Sequence, residues 1–168
     1  MQIRMLHDRP YITLDSIDRK IIDELSINAR LSYTELGKEV GLSRVAVQLR
    51  INALMEHGVI EQFTIAVNPD KAGLYIPAFF DVSVDPKHLD QVAEQLKSHI
   101  FITHLFQLTG SSKLHMHGQF EDMKEMEHYI RTKLYVLPGV LNVESQIIVN
   151  SYKNRMGIRP LIPDEERL

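Results

Sequence analysis

Residues 31–58 read LSYTELGKEVGLSRVAVQLRINALMEHG, and two helices joined by a tight turn are legible in them. Ser32 and Glu35 stand three apart as a capping box, in which the hydroxyl accepts one free amide and the carboxylate another. Leu36 and Val40 give the short helix an inward face, and Gly41 stops it. Ser43 then caps a longer helix in which Val47, Ile51 and Leu54 recur at i, i+4 and i+7, and His57-Gly58 closes it. A helix of about two turns, a turn at Gly41-Leu42 and a longer second helix make a helix-turn-helix. In that motif the second helix lies in the major groove, with its N-terminal residues at the base edges.

The side of the second helix opposite Val47, Ile51 and Leu54 carries Arg44, Val45, Gln48 and Asn52. An arginine and two amides are the groups that make bidentate contacts to guanine and adenine edges. Across residues 43–55 the charged residues are Arg44 and Arg50, with no acid before Glu56. The whole chain of 168 residues has a net charge of −3, so this stretch is a local basic face on an acidic protein, which is all a DNA reader needs. The candidate DNA contacts are Ser43, Arg44, Val45, Ala46, Gln48, Arg50 and Asn52. Ser32 and Tyr33 join them, because free amides gather at a helix N-terminus and attract phosphate. Each has a plainer alternative: exposed amides are often merely solvated, Ser32 can act only as a cap, and Arg50 can pair with Asp18 and hold the bundle together.

Upstream, Asp15 is an N-cap and Ile17, Ile21, Ile22 and Leu25 form the buried stripe of a first helix, with Asp18 in its first turn where the dipole favours negative charge. Downstream, residues 59–67 (VIEQFTIAV) read as the strand or wing that follows a recognition helix. The chain then changes pattern. Residues 68–77, NPDKAGLYIP, punctuate it with two prolines and a glycine. Strands follow at 78–84, 102–109, 113–120 and 140–151, with helices from Pro86 and over 123–134. The order βαββαβ is ferredoxin-like, and the predicted fold class is α+β: a winged helix-turn-helix followed by that domain. Phe79, Leu105 and Ile148 are expected on the strand face away from the helices, where apolar residues argue for cover by a second copy in a symmetric dimer.

The residues Leu14-Asp15-x-x-Asp18-x-x-Ile21-x-x-x-Leu25, Asn28-Ala29-Arg30-x-Ser32-x-x-Glu35-Leu36 and Gly41-Leu42-Ser43-x-x-x-Val47-x-x-Arg50-Ile51-x-x-Leu54-x-x-x-Gly58-x-Ile60 resemble the N-terminal domain of the Lrp/AsnC transcription regulators. Phe63, Asn68-Pro69 and Gly73 extend the likeness, and Thr109-Gly110 and Pro138-Gly139-Val140 match landmarks of the family's second domain. The resemblance implies double-stranded DNA as partner and self-association into dimers and on to octamers. It also implies a small-molecule effector, an amino acid or related metabolite, held near the middle-strand hairpin: Thr109, Gly110, Ser111, Ser112 and Lys113. Lys113 departs from the family, which commonly carries an acid there. A lysine repels an α-ammonium group and attracts an anion, so an acidic effector, or none, fits better than a neutral amino acid.

Composition sets the remaining bounds. With no cysteine there is no disulfide framework, thiolate nucleophile or thiolate zinc site. No apolar run reaches the ~20 residues of a membrane span, and the first ten residues lack the apolar core of a secretory signal, so a cytoplasmic protein without a membrane partner is expected. Of eight histidines, His115 and His117 share a strand face, and His104 is placed across from His117 by the hairpin. Three imidazoles there could take zinc or copper, but nothing in the spacing supplies a further ligand, so no metal or cofactor is expected and a pH-sensitive polar surface is the plainer reading. An enzyme on the same two-domain plan, of the siroheme decarboxylase type, is the alternative function. The His-Asn-Tyr stretch of that family is replaced here by Thr103-His104-Leu105-Phe106, and no G-x-S-x-G or phosphate loop appears. The expected organisation is an extension (1–13), a DNA-binding domain (14–67), a linker (68–77), an effector and oligomerisation domain (78–152) and a tail (153–168), which either lacks order or docks on a neighbour.

Overall fold

The computed structural model describes residues 12–110, 112–153 and 160–162. They separate into two compact units, one up to Ala66 with part of the tail and one from Val67 onward.

The first unit is three helices: α1 (Ser16–Ile27), α2 (Tyr33–Val40) and α3 (Arg44–Glu56). Each begins where a side chain satisfies an orphan amide. Asp15 accepts from the Asp18 amide at 2.7 Å, Ser32 from Glu35 at 3.2 Å and Ser43 from Ala46 at 3.2 Å. Helix α2 ends at Gly41, whose φ of 72° is left-handed, a conformation that costs glycine little. A second glycine is required for a different reason. A Cβ on Gly37 would stand 2.5 Å from the Leu42 carbonyl oxygen, so its bareness lets the turn fold tightly against α2. Ile21, Ile22, Leu36, Val47, Ile51 and Leu54 form the core of this unit, flanked by Leu14, Ile17, Val40 and Leu42. The hydrophobic stripes of all three helices thus converge, and what is left outside is mostly polar, with Ile27, Val45, Leu49 and Met55 as exposed exceptions.

Two tail residues also belong here. Leu161 packs against this core, and the amides of Leu161 and Ile162 donate to the two carboxylate oxygens of Asp23 at 2.8 and 2.9 Å. Asp23 is buried on α1; the two donors offset part of the cost of taking its charge out of water. The acidic cluster at 164–166 and the N-terminal stretch 1–11 lie outside the described residues.

The expected strand or wing at 59–67 is not formed: residues 61–68 carry no regular structure, and Phe63, Ile65 and Val67 are exposed. Strand propensity alone does not hold an extended segment, since a ladder needs a neighbour, and none pairs with it among the described residues.

The second unit carries β1 (Ile76–Val84), α4 (Leu89–Lys97), β2 (Ile102–Gln107), β3 (Lys113–Phe120), α5 (Met123–Tyr129) and β4 (Val140–Ile147). The sheet order is β2-β3-β1-β4, antiparallel throughout, and α5 runs on into a π turn over Ile130–Leu134. Ala78, Phe80, Val82, Leu114, Met116 and Phe120 alternate inward from the two central strands and meet Val92 and Leu96 of α4 and Met126 and Tyr129 of α5. Leu105 corrects an expectation. It pairs with buried Met116 and joins the core, while Phe106 stands opposite His115 on the outer side. The cause is a register irregularity between Ile102 and His104, which flips the face of every later residue in β2. Ile148 lies just past the end of β4, its amide donating to the Pro77 carbonyl at 2.9 Å.

Candidate nucleic-acid interface and effector domain

Because Val47, Ile51 and Leu54 are turned into the core, the opposite side of α3 faces outward: Ser43, Arg44, Val45, Gln48 and Asn52 are all exposed in this unit. Arg44, Gln48 and Asn52 recur every four residues, so they rise along one side of the helix. Ser43 spends its hydroxyl on the cap, and Ala46 is half-buried, which leaves it little reach. Leu49 was not anticipated. It is 65% exposed beside 62% exposed Val45, an apolar pair of the kind that contacts a thymine methyl. The signal was present, since Leu49 falls off the i, i+4, i+7 stripe, but an apolar residue is easily counted with the core.

Ser32, Tyr33 and Arg44 come together. With Leu31 and Thr34 they line a shallow hollow of about 330 Å³, where the free amides at the α2 N-terminus meet a guanidinium. Hydrogen bonds from Ser32, chiefly its hydroxyl and then its amide, hold the Glu35 carboxyl below the usual carboxylate range, so this acid stays committed to the cap.

Arg50 goes elsewhere. Its guanidinium bonds Asp15 and Asp18 at 2.7 Å each and clips α3 to the start of α1, the plainer of its two readings. The Asp18 amide first, and Arg50 second, hold the Asp15 carboxyl down, and the two carboxylates push the Arg50 guanidinium up.

In the second unit the hairpin between β2 and β3 presents Thr109 and Gly110 to solvent, the latter at φ 102°. The Ser112 carbonyl accepts from the Val84 amide at 2.9 Å, and half-buried Lys113 pairs with Ser83. Ser111 lies outside the described residues. The larger hollow is not at this hairpin. It has about 730 Å³ between α4 and β2, with Asp90, Glu94 and Lys97 on one side and Thr103, His104 and Gln107 on the other. That volume suits a small metabolite, and none of Thr109, Gly110, Ser112 or Lys113 lines it.

His104 does stand across from His117, yet among the described residues no three histidines or carboxylates are grouped so as to hold a metal ion. No helix among them is long and apolar enough to cross a membrane.

Comparison with known proteins agrees with this geometry. Residues 14–55 match the AsnC-type helix-turn-helix domain and residues 77–158 the Lrp/AsnC ligand binding domain. The HTH-type transcriptional regulator LrpA of Pyrococcus horikoshii is 34% identical over 140 residues, covering 83% of this chain and 99% of LrpA. An uncharacterised HTH-type transcriptional regulator of Pyrococcus abyssi is 32% identical over 151 residues, covering 90% of this chain and 95% of its own. Among solved structures, a transcriptional regulator of Neisseria meningitidis in complex with L-methionine aligns with a TM-score of 0.83 at 26% identity, covering 88% of this chain and 97% of that one. AsnC of Escherichia coli has the same fold, with a TM-score of 0.81 at 23% identity over 86% of this chain and 97% of its own. The relatives carry the names of regulators, and the decarboxylase alternative gains no support. The chain belongs to the Lrp/AsnC family of DNA-binding transcriptional regulators.

Proposed function

We propose that this regulator reads a specific operator in the cytoplasm as a dimer or larger assembly, and that a small metabolite tunes its affinity. The observation that carries the reading is the outward side of α3, where Arg44, Gln48 and Asn52 stand exposed on one side of a helix that its Ser43 cap and buried stripe hold rigid. Arg44 and Gln48 read base edges, Asn52 extends the contact, and Val45 and Leu49 fill the methyl positions between them. At the edge of the hollow beside Arg44, Ser32 and Tyr33 at the α2 N-terminus receive a backbone phosphate, which fixes register without carrying sequence information. Arg50 is assigned to holding the bundle. Self-association is supported by the apolar side chains left exposed: Phe63 and Ile65 in the segment that follows α3 in the chain, and Phe106 on the outer side of the sheet. A two-fold dimer would then impose paired half-sites.

For the effector, the L-methionine held by the Neisseria protein supports an amino acid or a close relative. On the hairpin of Thr109, Gly110, Ser111, Ser112 and Lys113, the lysine favours a ligand with an extra carboxylate. The hollow between α4 and β2 supports a second reading, because Asp90 can receive an ammonium group there, and Glu94 and Lys97, which pair with each other at 3.4 Å, can exchange that pairing for a ligand's ammonium and carboxylate. A mobility-shift titration on the protein's own upstream region, with and without an amino-acid panel, tests both levels. Specific retardation is expected, with a midpoint that one ligand moves. Lys113→Ala abolishes that response if the hairpin is the site, and Glu94→Gln abolishes it if the hollow is. Retardation that competitor DNA of any sequence removes equally would reject the regulator reading.

A further inference from the structure

The outer side of the sheet holds a group of side chains that DNA reading does not use. On β3, Nε2 of His115 and Nε2 of His117 stand 3.2 Å apart. Nδ1 of His115 lies 2.7 Å from Asp81 Oδ1 on the neighbouring β1. An ionised carboxylate only accepts, so the proton of a neutral His115 ring sits on Nδ1 and donates to Asp81, and the Nε2 lone pair is turned toward His117. A carboxylate behind one imidazole nitrogen, with the other nitrogen free to ligate, is the arrangement that orients histidine toward a metal and raises its basicity. The spacing narrows the geometry. Two nitrogens bound to one tetrahedral ion at the usual zinc–nitrogen length of 2.0–2.1 Å stand about 3.3 Å apart, whereas adjacent ligands of a square-planar ion at that length stand about 2.9 Å apart. The ring centroids, 5.1 Å apart, match the roughly 5 Å of the tetrahedral case. Phe79 lies 4.4 Å from the His117 ring and Phe106 5.8 Å, giving the pair a partly apolar surround. Without a metal, the same contact is a single hydrogen bond between two rings.

We propose that His115 and His117 hold a zinc-type divalent ion, and that the same pair from a second copy, facing this side of the sheet across a two-fold axis, completes the tetrahedron. Two ligands per protomer leave the site half-built, and an isologous contact brings two equal halves together. Exposed Phe106 gains cover in the same contact. His104, whose ring centroid also lies 5.1 Å from that of His117, hydrogen-bonds Thr103 Oγ1 through Nδ1 at 3.1 Å and is not one of the proposed ligands. The inference rests on the self-association proposed above, so the test separates the two.

The full-length protein is first sedimented in chelator and then with zinc sulfate, and zinc is titrated against a chromophoric competitor. One ion per two chains is expected. Asp81→Asn should weaken binding about 10–100-fold, and His117→Ala should abolish it. A chain that is dimeric in chelator but binds no zinc, or binds one ion per chain, overturns the metal site and leaves the assembly standing. A chain monomeric under both conditions overturns the assembly and the shared site with it. Should His117→Ala lose its circular dichroism, cobalt(II) added to the unaltered protein decides: intense visible bands of tetrahedral cobalt support the site, and only the pale bands of hexa-aqua cobalt overturn it.

Discussion

The outward side of α3 and the outer side of the sheet are the two surfaces that carry chemistry, and they are built in opposite ways. The first presents an arginine and two amides on a helix whose own cap and buried stripe, Ser43 with Val47, Ile51 and Leu54, all lie within four turns of one another. The second presents imidazoles and aromatics brought together by strands far apart in the chain, with His115 meeting Asp81 across 34 positions. Local construction gives a rigid reading head that tolerates changes on its outer side. Non-local construction makes the sheet surface sensitive to register and suits it to a role that depends on assembly. Variants on the outer side of α3 should therefore lose recognition without losing fold, whereas variants of the elements that hold α3 should lose fold first.

The largest effect is expected from Arg44→Ala combined with Gln48→Ala. Each good bidentate contact contributes about 1–3 kcal/mol of discrimination, so the preference for operator over random DNA should fall roughly 30-fold or more while the thermal midpoint stays put. A stability loss equal to the loss of recognition would erase the contrast between the two sides of the helix. Next comes removal of the tail after Lys153. It strips two amide donors from buried Asp23 and Leu161 from the core, and about 1–3 kcal/mol of stability should go with them; denaturant melts followed by a probe in the first unit would measure it. An unchanged midpoint would mean that the tail contact contributes nothing to this unit. The Ser43→Ala cap variant should cost about 1 kcal/mol and weaken specific and non-specific DNA binding together, because it frays the start of α3 without deleting a reader. The smallest effect belongs to Arg50→Ala, read as a slight fall in melting temperature near neutral pH. The Asp15 carboxyl is held below its ordinary value in the folded state, so the stability it lends is present above the unfolded carboxylate range near pH 3.9 and lost as pH falls through the folded value. The difference between Arg50→Ala and the unaltered protein should shrink over that acidic window. A difference that stays constant down to pH 2 would contradict the ion-pair assignment.

The same contrast explains what could be read from the amino acids alone. The helix-turn-helix was legible because caps, stripes and the stop at Gly41 act within one or two turns, so Ser32, Ser43 and the Val47 stripe speak for themselves. The order of elements in the second unit was legible because alternation on β1 and β3 is regular. The side on which Leu105 lies was not, since a single irregularity near Thr103 inverts it and no hydrophobic period records a bulge. The strand expected at 59–67 failed for a related reason: propensity states what a segment would do given a neighbour, not whether it has one. In the candidate site, Arg50 was recognisable as important but ambiguous between phosphate and carboxylate, and only the two 2.7 Å contacts decide where it goes. The docking of Leu161 on α1 lies 138 positions from its partner, a distance no local pattern spans. The hollow between α4 and β2 is likewise a property of packing, assembled from residues that look ordinary one by one.

If Arg44 meets a guanine in the major groove, it does so at N7 and O6, and that contact can be erased from either side. The measurement is a methylation-interference experiment on the operator, run in parallel with the unaltered protein and Arg44→Ala. Methylating N7 of one guanine in each half-site should block the unaltered protein and leave the binding of Arg44→Ala indifferent at that same position. Interference at no guanine, or interference of equal strength for both proteins at every guanine, would contradict the placement of α3 in the groove.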